Sequence, residues 1–258
     1  HPFDYNRKFP WDKLKEDEEV FMVDISLPIE DMLKLDKVSI LTWIDHHETA
    51  ILEAKKYNFN PDGLREIGKA ACELVWEYLF DSETPEAIHL LGRYDVWDHK
   101  DRPKVLPFQY GMKIEDTDPN NQSLWSVLLR NNSIQTSNLV KDIINNGKLI
   151  YSYIKKQNRT YAQAYAFETK LLNYNAIAIN SGLFNSQLFD SVWDNRKYDL
   201  MICFCLKEQD GKKIWKLSLY TDKNNIHVGE IAKKFGGGGH AGASGFYCEN
   251  LPFEIKGK

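Results

Sequence analysis

Val38-Ser39-Ile40-Leu41-Thr42-Trp43-Ile44-Asp45-His46-His47 is the stretch on which the fold turns. An apolar run holding Val and Ile, closing in an acid and two imidazoles, reads as a buried strand that delivers ligands at its carboxyl end. Asp and His are common ligands of hard to borderline divalent metals. Neighbouring side chains on a strand point to opposite faces, so Asp45, His46 and His47 cannot all reach one ion. The plainer alternative is an Asp capping the next helix, beside two surface histidines.

Upstream, Glu18-Glu19-Val20-Phe21-Met22-Val23-Asp24 reads as a second short strand ending in an acid, and Pro28 to Leu35 as a helix. Strand, helix and strand in so short a span predict a βαβ unit with parallel strands. Its right-handed crossover would place Asp24 and Asp45 at one sheet edge, with a helix cap the plainer alternative for Asp24. Downstream, Asn60-Pro61-Asp62-Gly63 reads as a turn, and Gly68 to Phe80 as a helix with a core-facing stripe at Ala71, Leu74, Val75, Tyr78 and Leu79. A further helix, Pro85 to Leu91, leads to Arg93-Tyr94-Asp95-Val96-Trp97-Asp98-His99. Asp95, Asp98 and His99 offer one more cluster of possible ligands, with a surface acid and a cap the plainer reading of Asp98 and His99; Asp95 is expected with Asp24 and Asp45 at strand ends. From Lys104 to Asn132 the pattern weakens into turn words such as Asp118-Pro119-Asn120-Asn121. Apolar residues then recur at helical spacing, predicting one or two long helices over roughly 137–168, with Gly147 a weak point or break.

The last third changes character. Ala176 to Ile179, Leu200 to Leu206 and Trp215 to Tyr220 read as strands, with Glu208-Gln209-Asp210-Gly211 a hairpin turn between the latter two. A short helix, Val228 to Phe235, feeds Gly236-Gly237-Gly238-Gly239-His240. Apolar residues flank the glycines closely, so they are not a linker. Their missing side chains let backbone N–H groups approach an anion, to which His240 adds a donor. A tight helix-to-strand turn is the alternative.

With 258 residues, 43% hydrophobic and 27% charged, the chain is in the ordinary globular range and long enough for one large or two modest domains. Cys72, Cys203, Cys205 and Cys248 form no Cys-x-x-Cys pair and read as reduced core residues. No apolar run reaches membrane-spanning length and no secretory signal is visible, so a cytoplasmic protein without membrane contact is expected. The net charge of −4 conceals an asymmetry: residues 1–140 hold 16 Lys/Arg against 26 Asp/Glu, and residues 141–258 hold 17 against 11. An acidic half suits cations and a basic half suits a phosphorylated ligand, while duplex binding would call for a denser basic stripe. A chain starting at His1-Pro2-Phe3-Asp4-Tyr5-Asn6 is expected to be a fragment or to have a processed beginning.

Asp45-His46-His47 followed by Gly236 to His240 resembles the DHH phosphoesterases that carry a second domain called DHHA1, and Tyr94-Asp95-Val96-Trp97 resembles the nanoRNase B-like branch. The resemblance implies a two-domain α/β fold: a parallel-sheet DHH domain at 1–136, connecting helices at 137–170, and a smaller mixed-sheet DHHA1 domain at 171–258. It implies a two-ion centre, usually manganese with magnesium possible, holding Asp24, His46 and Asp95 as ligands and Asp24 as bridge. Asp45 would orient the site and His47 would face the substrate phosphate; Gly237, Gly238, Gly239 and His240 would hold a phosphate or terminal nucleotide. The implied activity is exonuclease-type hydrolysis of short single-stranded RNA or DNA, in a chain that could form a homodimer. Cyclic or bisphosphorylated nucleotides or polyphosphate are the alternative substrates, and a non-catalytic nucleotide-binding module is the alternative class. The chain departs from the family by lacking the first signature, His-x-x-x-Asp-x-Asp, and by Tyr220 where many relatives carry Arg. The first departure implies either ligands upstream of His1 or a metal-poor relative.

Overall fold

The βαβ unit around Asp45 is present: β1 (Glu18–Val23) and β2 (Ser39–Ile44) run parallel, joined by α1 (Ile29–Val38). The computed structural model of the chain describes residues 8–131, 133–182, 185–209 and 211–255. The opening His1 to Asn6 and Asp210 of the expected hairpin turn lie outside them. The chain divides into two units, 1–151 and 152–258.

In the first unit Met22, Leu41 and Trp43 of the two strands pack on Met32 and Leu35 of α1 and on Ile51 and Ala54 of α2 (Glu48–Lys56). A third lane lies along β2. Leaving the Asn60 to Gly63 turn, the backbone accepts from Trp43 N–H at the Asp62 carbonyl (2.8 Å) and from Asp45 N–H at the Leu64 carbonyl (3.1 Å). Arg65 fastens this lane by donating to the carbonyls of Trp43 (2.8 Å), Pro61 (2.8 Å) and Asp62 (3.1 Å). β2 is thereby an interior strand, which explains why its run is almost continuously apolar.

Then come α3 (Ala71–Leu79) and α4 (Glu86–Asp95), followed by two helices where the sequence shows no clear pattern, α5 (Val105–Met112) and α6 (Gln122–Leu128). Nearly every residue of α5 is buried, so it has no polar face to create a helical period. α6 is short and starts at Asn121, whose side chain accepts from Leu124 N–H.

α7 (Ile134–Tyr165) is one uninterrupted helix that carries the chain from the first unit into the second. Gly147 is not a break. A Cβ there would fall on the Pro107 carbonyl oxygen of α5, so the glycine exists to let two helix backbones approach.

The second unit is a mixed sheet in the order β3-β4-β5-β6-β8-β7. Its strands are β3 (Phe167–Leu171), β4 (Tyr174–Asn180), β5 (Leu200–Gln209), β6 (Lys212–Tyr220), β7 (Gly238–Gly239) and β8 (Ala243–Cys248), with α8 (Val228–Lys233) preceding β7. β3 lies where a helix to about 168 was expected; Ala166 ends the helical hydrogen bonding, and Phe167 pairs with Ala178. Within this sheet, among the described residues, only β4 and β5 pair in parallel. Ala176, Ala178, Leu200, Ile202 and Phe204 pack on one face with Val228, Ile231 and Ala232 of α8, while Ile177, Ile179, Met201 and Cys203 pack on the other with Ala162 of α7, Leu188 and Phe189. Two covered faces account for the unbroken apolar runs of β4 and β5.

All four cysteines are free thiols, but only Cys203 is buried: Cys205 and Cys248 are half-buried, and Cys72 is exposed because it sits beside the buried stripe of α3 instead of on it. Among the described residues no helix is long and apolar enough to cross a membrane.

Gly147→Ala should therefore destabilise the protein although Ala is the better helix former. Helix propensity offers about 1 kcal/mol, and overpacking a closed contact costs roughly 1–3 kcal/mol. A fall in the urea midpoint is expected; a rise would show that α5 and α7 are not in contact there.

Candidate metal centre

Two strand ends and one helix end build the centre. Asp24 follows β1 in the left-handed region (φ 59°), a conformation Asp tolerates better than most residues, and its N–H still donates to the Ile44 carbonyl at 3.0 Å. Asp45 follows β2 and is wholly buried (0% exposed). Its Oδ1 accepts from the N–H groups of His46 (2.7 Å) and His47 (3.2 Å) and pairs with His47 Nδ1 at 2.7 Å; its Oδ2 accepts from Trp43 Nε1 at 3.2 Å. With both oxygens so occupied, Asp45 is suited to orienting its neighbours and poorly suited to binding an ion itself.

His46 is buried (3% exposed), and its Nε2 lies 3.0 Å from Asp24 Oδ1 and 3.3 Å from Asp95 Oδ2. Asp95 ends α4, so it arrives from a helix terminus and not from a strand end as expected. The side chains of Asp24 and Asp95 are 54% and 49% exposed, leaving the open side of the cluster to solvent. Ligand atoms of Asp24, His46 and Asp95 all lie within 4.8 Å of one another, and so do those of Asp24, Asp45 and His47. Asp24 is common to both groups. One imidazole nitrogen facing two carboxylates is a donor set that fits a divalent ion: a borderline nitrogen, two hard oxygens, and room for water.

The charges are mutually adjusted. Burial alone would push the Asp45 carboxyl up, but the His47 hydrogen bond and charge and the two backbone donors hold it below its ordinary value. Burial would push His47 down, yet the bond to Asp45 and the charges of Asp45, Asp24 and Asp95 raise it. Asp95 is raised, first by burial and then by Asp24, against the opposing pull of His46. A depressed Asp45 gives stability present above its unfolded value and lost as pH falls through its folded one. A raised His47 gives stability present below its unfolded value and lost as pH rises through its folded one. In metal-free protein the melting-temperature difference between wild type and His47→Gln should thus be greatest between about pH 4 and pH 6.5 and shrink on both sides. A difference independent of pH would show that the pair is not ionic.

Asp98 pairs with Arg93 (3.4 Å) and Arg102 (3.0 Å), consistent with the surface role expected for it. Glu73 was not foreseen. It is a buried carboxylate in contact with Arg93 and 2.9 Å from His89 Nδ1. The available signal was a lone acid between the apolar stripe positions Ala71 and Leu74, with His89 and Arg93 one turn apart on the next helix.

The glycine run divides by purpose. Cβ atoms at Gly237 and Gly239 would strike the backbone of β8, at the Gly245 carbonyl and 2.6 Å from the Ala243 carbonyl respectively, and Gly239 has φ 141°. Those two glycines are demanded by the β7–β8 pairing. A Cβ at Gly238 would meet nothing within 4 Å, so the fold itself does not require glycine there. His240 N–H donates to the Ala243 carbonyl at 2.8 Å, and Ser244 Oγ donates to the Val228 carbonyl at 2.8 Å.

Residues 186–255 match the family model of the DHHA1 domain, which places the glycine run inside a recognised domain type. Uncharacterized protein R106 of Acanthamoeba polyphaga mimivirus is 26% identical over 261 residues, a match covering 94% of this chain. The chain spans only 57% of that relative's length. Among solved structures, a pGpG-specific phosphodiesterase, PggH from Vibrio cholerae, is similar at 15% identity and a TM-score of 0.33, covering 86% of this chain and 83% of that one. An exopolyphosphatase-related protein from Bacteroides fragilis is similar at 14% identity and a TM-score of 0.37, covering 93% and 67%.

Proposed function

We propose that this chain is part of a divalent-metal-dependent phosphoesterase of the DHH type, hydrolysing phosphodiester bonds of short single-stranded oligonucleotides, with manganese as the working ion. The observation that carries this reading is the convergence of Asp24, His46 and Asp95 around one point, backed by the wholly buried Asp45, in a chain that also has a DHHA1 match. Asp24, His46 and Asp95 would hold the ion. When bound there, a divalent ion supplies neutralisation of phosphoryl charge and acidification of water. Asp45 fixes the backbone of His46 and the ring of His47. His47, held in place by Asp45, is suited to donate to an anionic phosphoryl oxygen. Gly238, which lacks a side chain for no reason internal to the fold, and His240 are the groups assigned to the substrate phosphate or terminal nucleotide.

The test is a hydrolysis panel on the intact protein with manganese, covering dinucleotides to pentanucleotides, cyclic dinucleotides and polyphosphate. Turnover of the short oligonucleotides, abolished by chelator and by His46→Ala, is expected; exclusive turnover of cyclic dinucleotides or polyphosphate would replace the substrate, and no turnover of any would leave a binding module.

His240→Ala should lower kcat/KM at least about tenfold, the loss of one charge-assisted hydrogen bond worth roughly 1.5–3 kcal/mol, with little change in melting temperature. Gly238→Ala should likewise raise KM while the protein stays folded, and Gly237→Ala should instead lower the melting temperature. Equal behaviour of the two glycine variants would remove the assignment of Gly238 to substrate.

A further inference from the structure

Glu73 is buried in α3, and most of what satisfies it comes from α4. Its Oε1 lies 2.9 Å from His89 Nδ1, and its Oε2 accepts from Arg93 and, at 3.2 Å, from the Ala70 N–H. Gly92, just before Arg93, lies so close that a Cβ would come within 2.5 Å of Oε2. His89 and Arg93 are four residues apart and share one face of α4. A single carboxylate therefore fixes both the rotation and the axial position of the helix: rotating α4 would break both side-chain contacts, and approach is limited at Gly92. Beyond the helix, Arg93 also reaches Asp98 at 3.4 Å, tying down the chain just past Asp95. Helix ends ordinarily fray. This one, which presents Asp95 to His46, is anchored within its last two turns, at His89 and Arg93, and again just after it, at Asp98.

We infer that Glu73 is a positioning residue of the metal centre: through His89, Gly92 and Arg93 it sets the turn of α4 that brings the Asp95 carboxylate to His46. The inference rests on the reading of Asp24, His46 and Asp95 as metal ligands. It differs from a purely structural salt bridge in what it requires of the ion: loosening Glu73 must cost metal affinity beyond any cost in stability.

The test measures Mn2+ affinity of the intact protein by the paramagnetic resonance signal of free Mn2+, together with melting temperature in chelator. The variants are Glu73→Gln, Arg93→Lys and, as control, Lys104→Ala, which removes the exposed Lys104–Glu86 pair (2.8 Å) at the opposite end of α4. Glu73→Gln should weaken Mn2+ binding about 10–100-fold, as loss of a partner behind a ligand does. Arg93→Lys, which keeps the charge but loses the fork, should fall between it and wild type, and Lys104→Ala should bind as wild type does. Where Glu73→Gln does not fold, Arg93→Lys decides. Folded variants that bind Mn2+ like wild type overturn the inference alone, as does an equal loss in Lys104→Ala. A wild-type protein without saturable Mn2+ binding overturns the metal reading and this inference with it.

Discussion

A carboxylate without solvent exposure is the constraint on which the first unit depends. Burying Asp45 would cost several kcal/mol if its oxygens were left unpaired. It persists because Trp43, His46 and His47 supply side-chain and backbone donors, and meeting those donors fixes the local chain. The two backbone bonds force the turn out of β2, the ring bond fixes the orientation of the His47 imidazole, and the Trp43 indole ties the arrangement into the core behind the sheet. His46 is thereby left to face outward toward Asp24 and Asp95. One buried charge converts a three-residue motif into a directed set of side chains.

The second unit solves a different problem, close approach. β7 consists of two glycines, and its pairing with β8 brings backbone to positions where side chains would collide. That requirement accounts for Gly237 and Gly239 and so lowers the number of glycines that need a ligand to explain them. Gly236 is explained by its left-handed backbone (φ 80°), so what remains is Gly238, together with the histidine that follows the run. A row of glycines is thus weaker evidence of anion binding than it looks until packing has been subtracted.

Charge follows the same division. Residues 1–151 carry 18 Lys/Arg against 27 Asp/Glu, and residues 152–258 carry 15 against 10, so the units differ in sign at −9 and +5. The acidic excess belongs to the unit with the Asp/His cluster, and the basic excess to the unit with the glycine run. An acidic field favours retention of a cation, and a basic one favours an anionic substrate.

The sequence by itself determined the βαβ unit, because a short apolar run ending in Asp-His-His, with a second short strand and a helix just upstream, leaves little choice of element. It also determined the strands β4, β5 and β6, and the candidacy of Asp24, His46 and Asp95. It was silent on α5 and α6, because a helix buried at nearly every position has no polar face and a seven-residue helix has too few turns to show a period. It misjudged Gly147 for a related reason: glycine weakens an isolated helix, but here it permits contact with Pro107, a residue forty positions away. Only the tertiary structure decided that Asp95 comes from the end of a helix, that Asp45 turns inward, and that Glu73 lies behind Asp95. Each depends on which groups satisfy a buried charge, and those partners are far apart in the chain, where neither spacing nor composition can link them.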